Sequence, residues 1–299
     1  MVSRCGHIAL LGAPNAGKST LLNRMAGARV SIVTPKPQTT RARVLAIVPR
    51  GEAQLLLVDT PGIFAPRRRL DRAMVAAAWQ GAADADLALF LVDAKRGLTA
   101  EVEAVAARLL ADGPAGRRTW LVLNKIDLLA PPALLPLVEA LSQRVPCERV
   151  FMISAATGDG VEDLLDALAE AVPEGPHLYP DDDLTNLPDR LLAAELVREQ
   201  IFLQTHEEIP YATTVETESF REGDDGSVRI EATIYVARAS QRAILIGQGG
   251  KRIKEIGSRA RAELAALLER KVHLFLNVKE RPGWDEETAR LRAIGLDDP

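Results

Sequence analysis

One octapeptide constrains this chain more than any other feature. Gly12-Ala-Pro-Asn-Ala-Gly-Lys-Ser19 fills every fixed position of the pattern G-x-x-x-x-G-K-[S/T]. It directly follows an apolar run of strand length, Ile8–Leu11, and opens a stretch whose apolar residues have helical spacing (Leu21, Leu22, Met25). A strand, a glycine-rich loop and a helix in that order let backbone N–H groups converge on an anion, and the helix N-terminus adds its positive end. Lys18 is expected to neutralise the β- and γ-phosphates of a nucleotide, and the Ser19 hydroxyl to ligate Mg2+.

The rest of the first 172 residues agrees with such a unit. Apolar runs at His7–Leu11, Leu55–Val58, Leu87–Val92, Thr119–Leu123 and Val150–Ile153 alternate with helical stretches such as Glu101–Leu110 and Val161–Val172. Strands that are apolar throughout indicate a parallel sheet covered on both faces, hence a doubly wound α/β domain. No apolar run approaches the roughly 20 residues needed to span a bilayer. Two cysteines, Cys5 and Cys147, are too few for a disulfide scaffold or a thiolate metal site. The first eleven residues run straight into the glycine-rich loop without a signal's long apolar region. The expected setting is the reducing cytoplasm.

Three further segments sit where a nucleotide would be read. Asn124-Lys-Ile-Asp127 follows the run ending at Leu123. The Asp127 carboxylate can accept from guanine N1–H and the 2-amino group, donors that adenine lacks, and an unpaired carboxylate discriminates strongly. Asn124 suits guanine N7, the Lys125 stem can cover the purine, and Ser154-Ala155 can offer N–H groups to O6. Asp59-Thr-Pro-Gly62 follows Leu55–Val58. Asp59 can hold a water on Mg2+, and the Gly62 N–H can contact the γ-phosphate. In the polar segment Pro35-Lys-Pro-Gln-Thr-Thr-Arg41, either Thr39 or Thr40 is placed to ligate Mg2+, with Thr40 preferred.

Residues 173–188 carry turn formers and little periodicity, and read as a linker. Beyond it, residues 189–299 form a second, smaller α+β domain. A helix begins at Asp189. Two strand-like runs, Thr213–Phe220 and Val228–Val236, flank a turn containing Asp225-Gly226, a hairpin signal. A short helix over Gln241–Ile246, a helix over Lys251–Leu268 and a strand over Val272–Val278 complete the order. The loop joining the two helices, Ile246-Gly-Gln-Gly-Gly250, has the G-x-x-G form that lets a nucleic-acid backbone approach closely, and Lys251, Arg252 and Lys254 follow it. Net charge is −4 overall, but Ser240–Pro282 holds ten basic and four acidic residues. That concentration points to a polyanion partner for this segment alone. Ile244, Ile246 and Ile253 are candidates for an apolar groove beside the loop, and Trp284 either stacks on a base or packs. His7, His177, His206 and His273 have no ligand spacing.

P-N-A-G-K-S-T with Q-T-T-R and D-T-P-G resembles the Era and MnmE-like group of GTPases, and 205–282 resembles a type II KH domain. The combination resembles the Era family. The resemblance implies GTP and GDP as ligands, with Mg2+. It places the nucleotide against Gly12, Ala13, Pro14, Asn15, Ala16, Gly17, Lys18, Ser19 and Thr20; against Asp59, Thr60, Pro61, Gly62 and Ile63; and against Asn124, Lys125, Asp127, Ser154 and Ala155. Asn15, Lys18, Thr40, Asp59 and Gly62 would carry the chemistry and its coupling, Ser19 and Thr40 the metal. RNA would meet Ile246, Gly247, Gln248, Gly249, Gly250, Lys251, Arg252 and Lys254. The resemblance further implies binding to the 3′ region of 16S rRNA in the small-subunit precursor. It also implies a monomer, cytoplasmic and partly peripheral to the inner membrane. Ras-like enzymes orient the attacking water with a glutamine after the D-x-x-G glycine; this chain has Ile63, which can neither donate nor accept. In the resembling group, Asn15 helps hold K+ where an arginine finger would otherwise act. Slow intrinsic turnover follows. A second reading stays open: an RNA-binding assembly chaperone whose nucleotide site is mainly structural.

Overall fold

The computed structural model describes residues 2–111, 118–145 and 147–297. It divides into two compact units, Met1–Asn186 and Leu187–Asp298. The outer domain limits expected at residues 1 and 299 lie outside the described residues.

In the first unit the strands are β1 (Arg4–Gly12), β2 (Val44–Arg50), β3 (Ala53–Asp59), β4 (Leu87–Asp93), β5 (Arg118–Asn124) and β6 (Arg149–Met152). The helices are α1 (Lys18–Ala26), α2 (Arg69–Ala83), α3 (Ala100–Ala111), α4 (Leu134–Ser142) and α5 (Val161–Ala171). The sheet runs β2-β3-β1-β4-β5-β6, parallel except for β2, which is antiparallel to β3 from Val44↔Asp59 to Arg50↔Ala53. Side chains alternate along each strand. Ile8 and Leu10 pack with Leu21, Leu22 and Met25 of α1 and Leu164, Leu165 and Leu168 of α5. Ala9 and Leu11 meet Ala78 and Ala82 of α2, Val102, Val105 and Leu109 of α3, and Leu134 and Leu141 of α4. Covered on both faces, the strands must be apolar at every position, which is why period-2 alternation is absent from the sequence.

Strand β2 is not among the runs read from the sequence, although Val44–Val48 is apolar and Gly51, at φ +58°, turns the hairpin. Residues 173–186, read as a linker, cluster with the first unit. They lie over β2 and β3, where Tyr179 packs on Cys5, Leu45, Ile47 and Leu56. The fully buried Gln54 donates to the Tyr179 carbonyl (2.8 Å) and accepts from the Leu178 (2.9 Å) and Tyr179 (3.1 Å) amides. Without helical or strand periodicity such a segment looks free in sequence, yet one buried amide side chain pins it.

The second unit contains α6 (Asp189–Gln204), β7 (Thr213–Glu222), β8 (Val228–Val236), α7 (Ala239–Ile246), α8 (Lys251–Leu268), β9 (Val272–Glu280) and a short α9 (Thr288–Ala293). β7 pairs antiparallel and β9 parallel with the central β8. One sheet face packs on α6, α7 and α8 through Val197, Ile201, Ile234, Leu245, Ile256 and Ala260. Trp284 is 1% exposed and donates through Nε1 to the Ala212 carbonyl (3.1 Å), so it packs and is not a stacking platform.

Candidate functional site

In an open α/β sheet the crevice outside the carboxyl ends of the strands receives ligands. Here Gly12, Asp59 and Asn124 end β1, β3 and β5, and Ser154 follows β6. Gly17, at φ +96°, caps α1, and a Cβ there would lie 2.2 Å from Asn124 Nδ2, so no other residue fits. Lys18, the first residue of α1, is 6% exposed and donates from Nζ to the Gly12 and Ala13 carbonyls, both at 3.1 Å. Burial pulls its ammonium down to about 8, against the attraction of Asp59. A phosphate anion at this position would favour the charged form and raise the value again.

Asp59 is completely buried. Its Oδ2 accepts from Ser19 Oγ (2.6 Å), Ser31 Oγ (2.8 Å) and Thr40 Oγ1 (3.2 Å), and Ser19 and Thr40 hydroxyls lie 2.9 Å apart. Asp59 Oδ1 has no hydrogen-bond partner among the described residues. Burial raises the Asp59 pKa, opposed by Lys18 and the three hydroxyls. A buried carboxylate oxygen without a donor, beside two hydroxyl oxygens, is a hard-oxygen set that fits Mg2+. Of the two threonines, Thr40 joins this cluster. Thr39 instead bonds the Thr34 hydroxyl (2.6 Å) and donates to the Lys36 carbonyl (2.8 Å).

The base-side residues also bond one another. Asn124 is 1% exposed. Its Nδ2 donates to the Ala16 carbonyl (2.9 Å), and its Oδ1 accepts from the Lys125 (2.8 Å) and Ala155 (2.9 Å) amides. The amide therefore ties the phosphate loop to the loop after β6, spending one of its two Nδ2 hydrogens on that link. Ser154-Ala155 does not offer its N–H groups: Ser154 N donates to the Asp159 carbonyl (2.9 Å) and Ala155 N to Asn124. A buried polar side chain must satisfy its donors and acceptors locally. Lys125, at φ +66°, reaches back to the Asn15 carbonyl and to Asp93 Oδ2, both at 2.7 Å. Asp127 is exposed in the single turn Ile126–Leu128.

A cavity of about 450 Å³ lies against the phosphate loop; Asn15, Lys18, Ser19, Thr40, Gly62 and Lys125 are among its lining residues. Ile32, Val33 and Thr34 also line it and carry no motif that sequence reading could use. Asn15 stands at φ +64° and donates from Nδ2 to the Pro35 carbonyl (3.3 Å). Gly62 lies against Pro14, and the Ile63 amide donates to the Gly12 carbonyl (3.0 Å) with its side chain in the core, 6% exposed. Thr60 is buried and donates to the Leu10 carbonyl (2.6 Å).

In the second unit the loop between α7 and α8 holds Gly247, Gly249 and Gly250 at φ +71°, +59° and +76°. Lys251, Arg252 and Lys254 are exposed. Arg252 folds back to donate to the Ile244 carbonyl (3.0 Å), capping α7. Lys251, Lys254 and Arg261 have no carboxylate partner among the described residues, whereas Arg259 pairs with Glu255 (2.7 Å). A groove of about 390 Å³ runs between α8 and the edge strand β9, lined by Ile253, Lys254, Gly257, Ser258, Arg261 and Leu274–Leu276. Of the three isoleucines expected there, only Ile253 lines it. Ile246 packs against the core and Ile244 points outward, 40% exposed. No cluster of three metal-ligating His, Cys, Asp or Glu exists among the described residues.

Residues 7–125 match the family described as 50S ribosome-binding GTPase, and residues 208–285 match the KH domain. GTPase Era of Afipia carboxidovorans is 52% identical over 99% of this chain and 96% of its own length. GTPase Era of Rhizobium meliloti is 53% identical over 99% and 94%. The chain belongs to the Era family of GTPases. Two solved structures superpose with TM-scores of 0.92, each covering 98% of this chain and 99% of the other. One is a point variant of Aquifex aeolicus Era bound to GDP.AlF4-, 38% identical. The other is Era in complex with MgGDPNP and nucleotides 1506–1542 of 16S ribosomal RNA, 39% identical. Family membership accounts for both the α/β unit with its phosphate loop and the KH unit beside it in sequence. Ser31, which no motif flags, is the residue of the Asp59 cluster that the sequence did not disclose.

Proposed function

We propose that this chain is a Mg2+-dependent GTPase whose KH unit binds single-stranded RNA from the 3′ region of 16S rRNA, and that it acts in assembly of the small ribosomal subunit. One observation carries the catalytic half: Ser19, Thr40 and Asp59 converge beside the phosphate loop, with Asp59 Oδ1 unpartnered among the described residues. Ser19 and Thr40 hydroxyls would hold Mg2+, with the Asp59 carboxylate on one of its waters, and the cation would neutralise charge on the β- and γ-oxygens. Lys18 exchanges its two carbonyl acceptors for phosphate oxygens and stabilises charge as the bond from the β-γ bridging oxygen to Pγ breaks. Water oxygen forms the new bond to phosphorus, and its protons leave with inorganic phosphate and solvent. Thr40 and Gly62 couple the γ-phosphate to their loops. Asp127 selects guanine. Asn15 is the residue for K+: its Oδ1 accepts no hydrogen bond among the described residues.

The RNA half is supported by the glycine loop, by Lys251, Lys254 and Arg261, which have no carboxylate partner among the described residues, and by the groove beside β9. Low aromatic content favours reading of base edges over stacking. The proposed state is a cytoplasmic monomer. No helix among the described residues is long and apolar enough to cross a membrane, so the inner-membrane contact implied by the resemblance would be peripheral.

The buried Ile63 favours one alternative, an RNA chaperone whose nucleotide site is structural, because no side chain there can orient water. Single-turnover hydrolysis of GTP, in K+ and in Na+ at equal ionic strength, with and without the RNA segment, separates the two. The proposal expects turnover, faster in K+ and altered by RNA. Absence of hydrolysis in every arm selects the chaperone.

A further inference from the structure

We propose that Ser31 is a positioning residue for the metal site: it is the one hydroxyl that keeps the Asp59 carboxylate oriented once Ser19 and Thr40 turn to the cation. Three hydroxyls converge on the same carboxylate oxygen, Oδ2, while Oδ1 has no partner among the described residues. Two of the three, Ser19 and Thr40, belong to segments that would hold the metal. When their oxygens coordinate a cation, their geometry is set by that cation. Ser31 stands apart from them on the short connection between α1 and the Thr34–Arg41 segment.

That connection is anchored independently of any ligand. Asn23 on α1 accepts at Oδ1 from the Val30 (2.9 Å) and Ser31 (2.8 Å) amides and donates from Nδ2 to the Ser31 carbonyl (2.7 Å). Both backbone polar groups of Ser31 are thus fixed by one side chain, and its hydroxyl donates to Asp59 Oδ2 at 2.8 Å. Ser31 is 3% exposed, so the bond is shielded from water. The rigid path α1–Asn23–Ser31–Asp59 starts on the helix whose first turn carries Lys18 and Ser19. Outer hydrogen bonds of this kind orient the groups that hold a metal and its waters, and typically change metal affinity 10- to 100-fold when removed.

The inference rests on the proposed Mg2+-nucleotide site, and the test separates the two. Release of a fluorescent, non-hydrolysable GTP analogue from the full-length protein is followed across a Mg2+ titration, for wild type, Ser31→Ala and Ser31→Cys. The Mg2+ concentration giving half-maximal slowing of release should rise about tenfold or more in Ser31→Ala. It should rise less in Ser31→Cys, which keeps a weak donor. Release in excess EDTA should be the same for all three. An unchanged Mg2+ midpoint in Ser31→Ala overturns the inference. So does faster release by the same factor with and without Mg2+, the mark of a merely structural serine. If wild-type release itself is indifferent to Mg2+, the proposed site falls and the inference with it. Should Ser31→Ala not fold, the cysteine variant is read by the same criteria.

Discussion

Replacing Asn124 by alanine separates a side chain that reads the base from one that builds the site. Three hydrogen bonds end on this amide: to the Ala16 carbonyl and from the Lys125 and Ala155 amides, all at 2.8–2.9 Å and nearly sealed from solvent. Each is worth about 1 kcal/mol net, and more where a partner is left buried without water. The truncation should therefore destabilise the first unit by about 3 kcal/mol. For a unit of this size, where 1 kcal/mol shifts Tm by about 2–4 °C, that is a fall of about 6–12 °C. The loss is present without nucleotide, because none of the three partners is a ligand. Nucleotide affinity should fall as well, up to about 100-fold if the full 3 kcal/mol is needed to reassemble the two loops. The assay is thermal unfolding of the nucleotide-free protein by circular dichroism, paired with a GDP titration. A nucleotide-free Tm within about 1 °C of wild type, with affinity alone reduced, would show that Asn124 acts on the base and refute the structural assignment.

Two further outcomes are expected. Lys18 is held down to about 8 by burial, and an adjacent phosphate returns it toward its ordinary range. At pH 8 nucleotide binding should take up about half a proton, and above pH 8 affinity should fall by up to about tenfold per pH unit. Without nucleotide the sign is reversed for stability: from about pH 8 to 10.5 the unfolded chain binds the proton that folded Lys18 has lost, so this residue's contribution rises with pH. Calorimetry in buffers of different ionisation enthalpy measures the uptake; a buffer-independent heat at pH 8 rejects it. In the KH unit, Lys251→Ala with Lys254→Ala should flatten the slope of log affinity for single-stranded RNA against log salt by about 1.4, and leave basal GTP turnover unchanged. An unaltered slope would place the phosphate contacts elsewhere.

Much of this was legible without coordinates. The order of elements in the KH unit and the glycine loop between its helices rest on local chemistry, and the structure has both. Other features were not. Residues 173–186 look like a tether because their hold on the first unit is Gln54, a residue more than 120 positions away. The groove beside β9 was sought among the isoleucines flanking the loop, whereas Leu274–Leu276 reach it through strand pairing.

Motif spacing alone determined that this chain carries a phosphate loop on an α/β sheet and a G-x-x-G loop between helices. Such loops are short, and their backbone requirements are written in adjacent residues. Only the tertiary structure decided which partners Asn124, Ser31 and Asp59 take, because a buried polar side chain takes whichever partner the fold brings within 3 Å. For Asn124 that partner is Ala16, 108 residues earlier in the chain. For Ser31 it is an aspartate 28 residues later, and no periodicity in the sequence records either meeting.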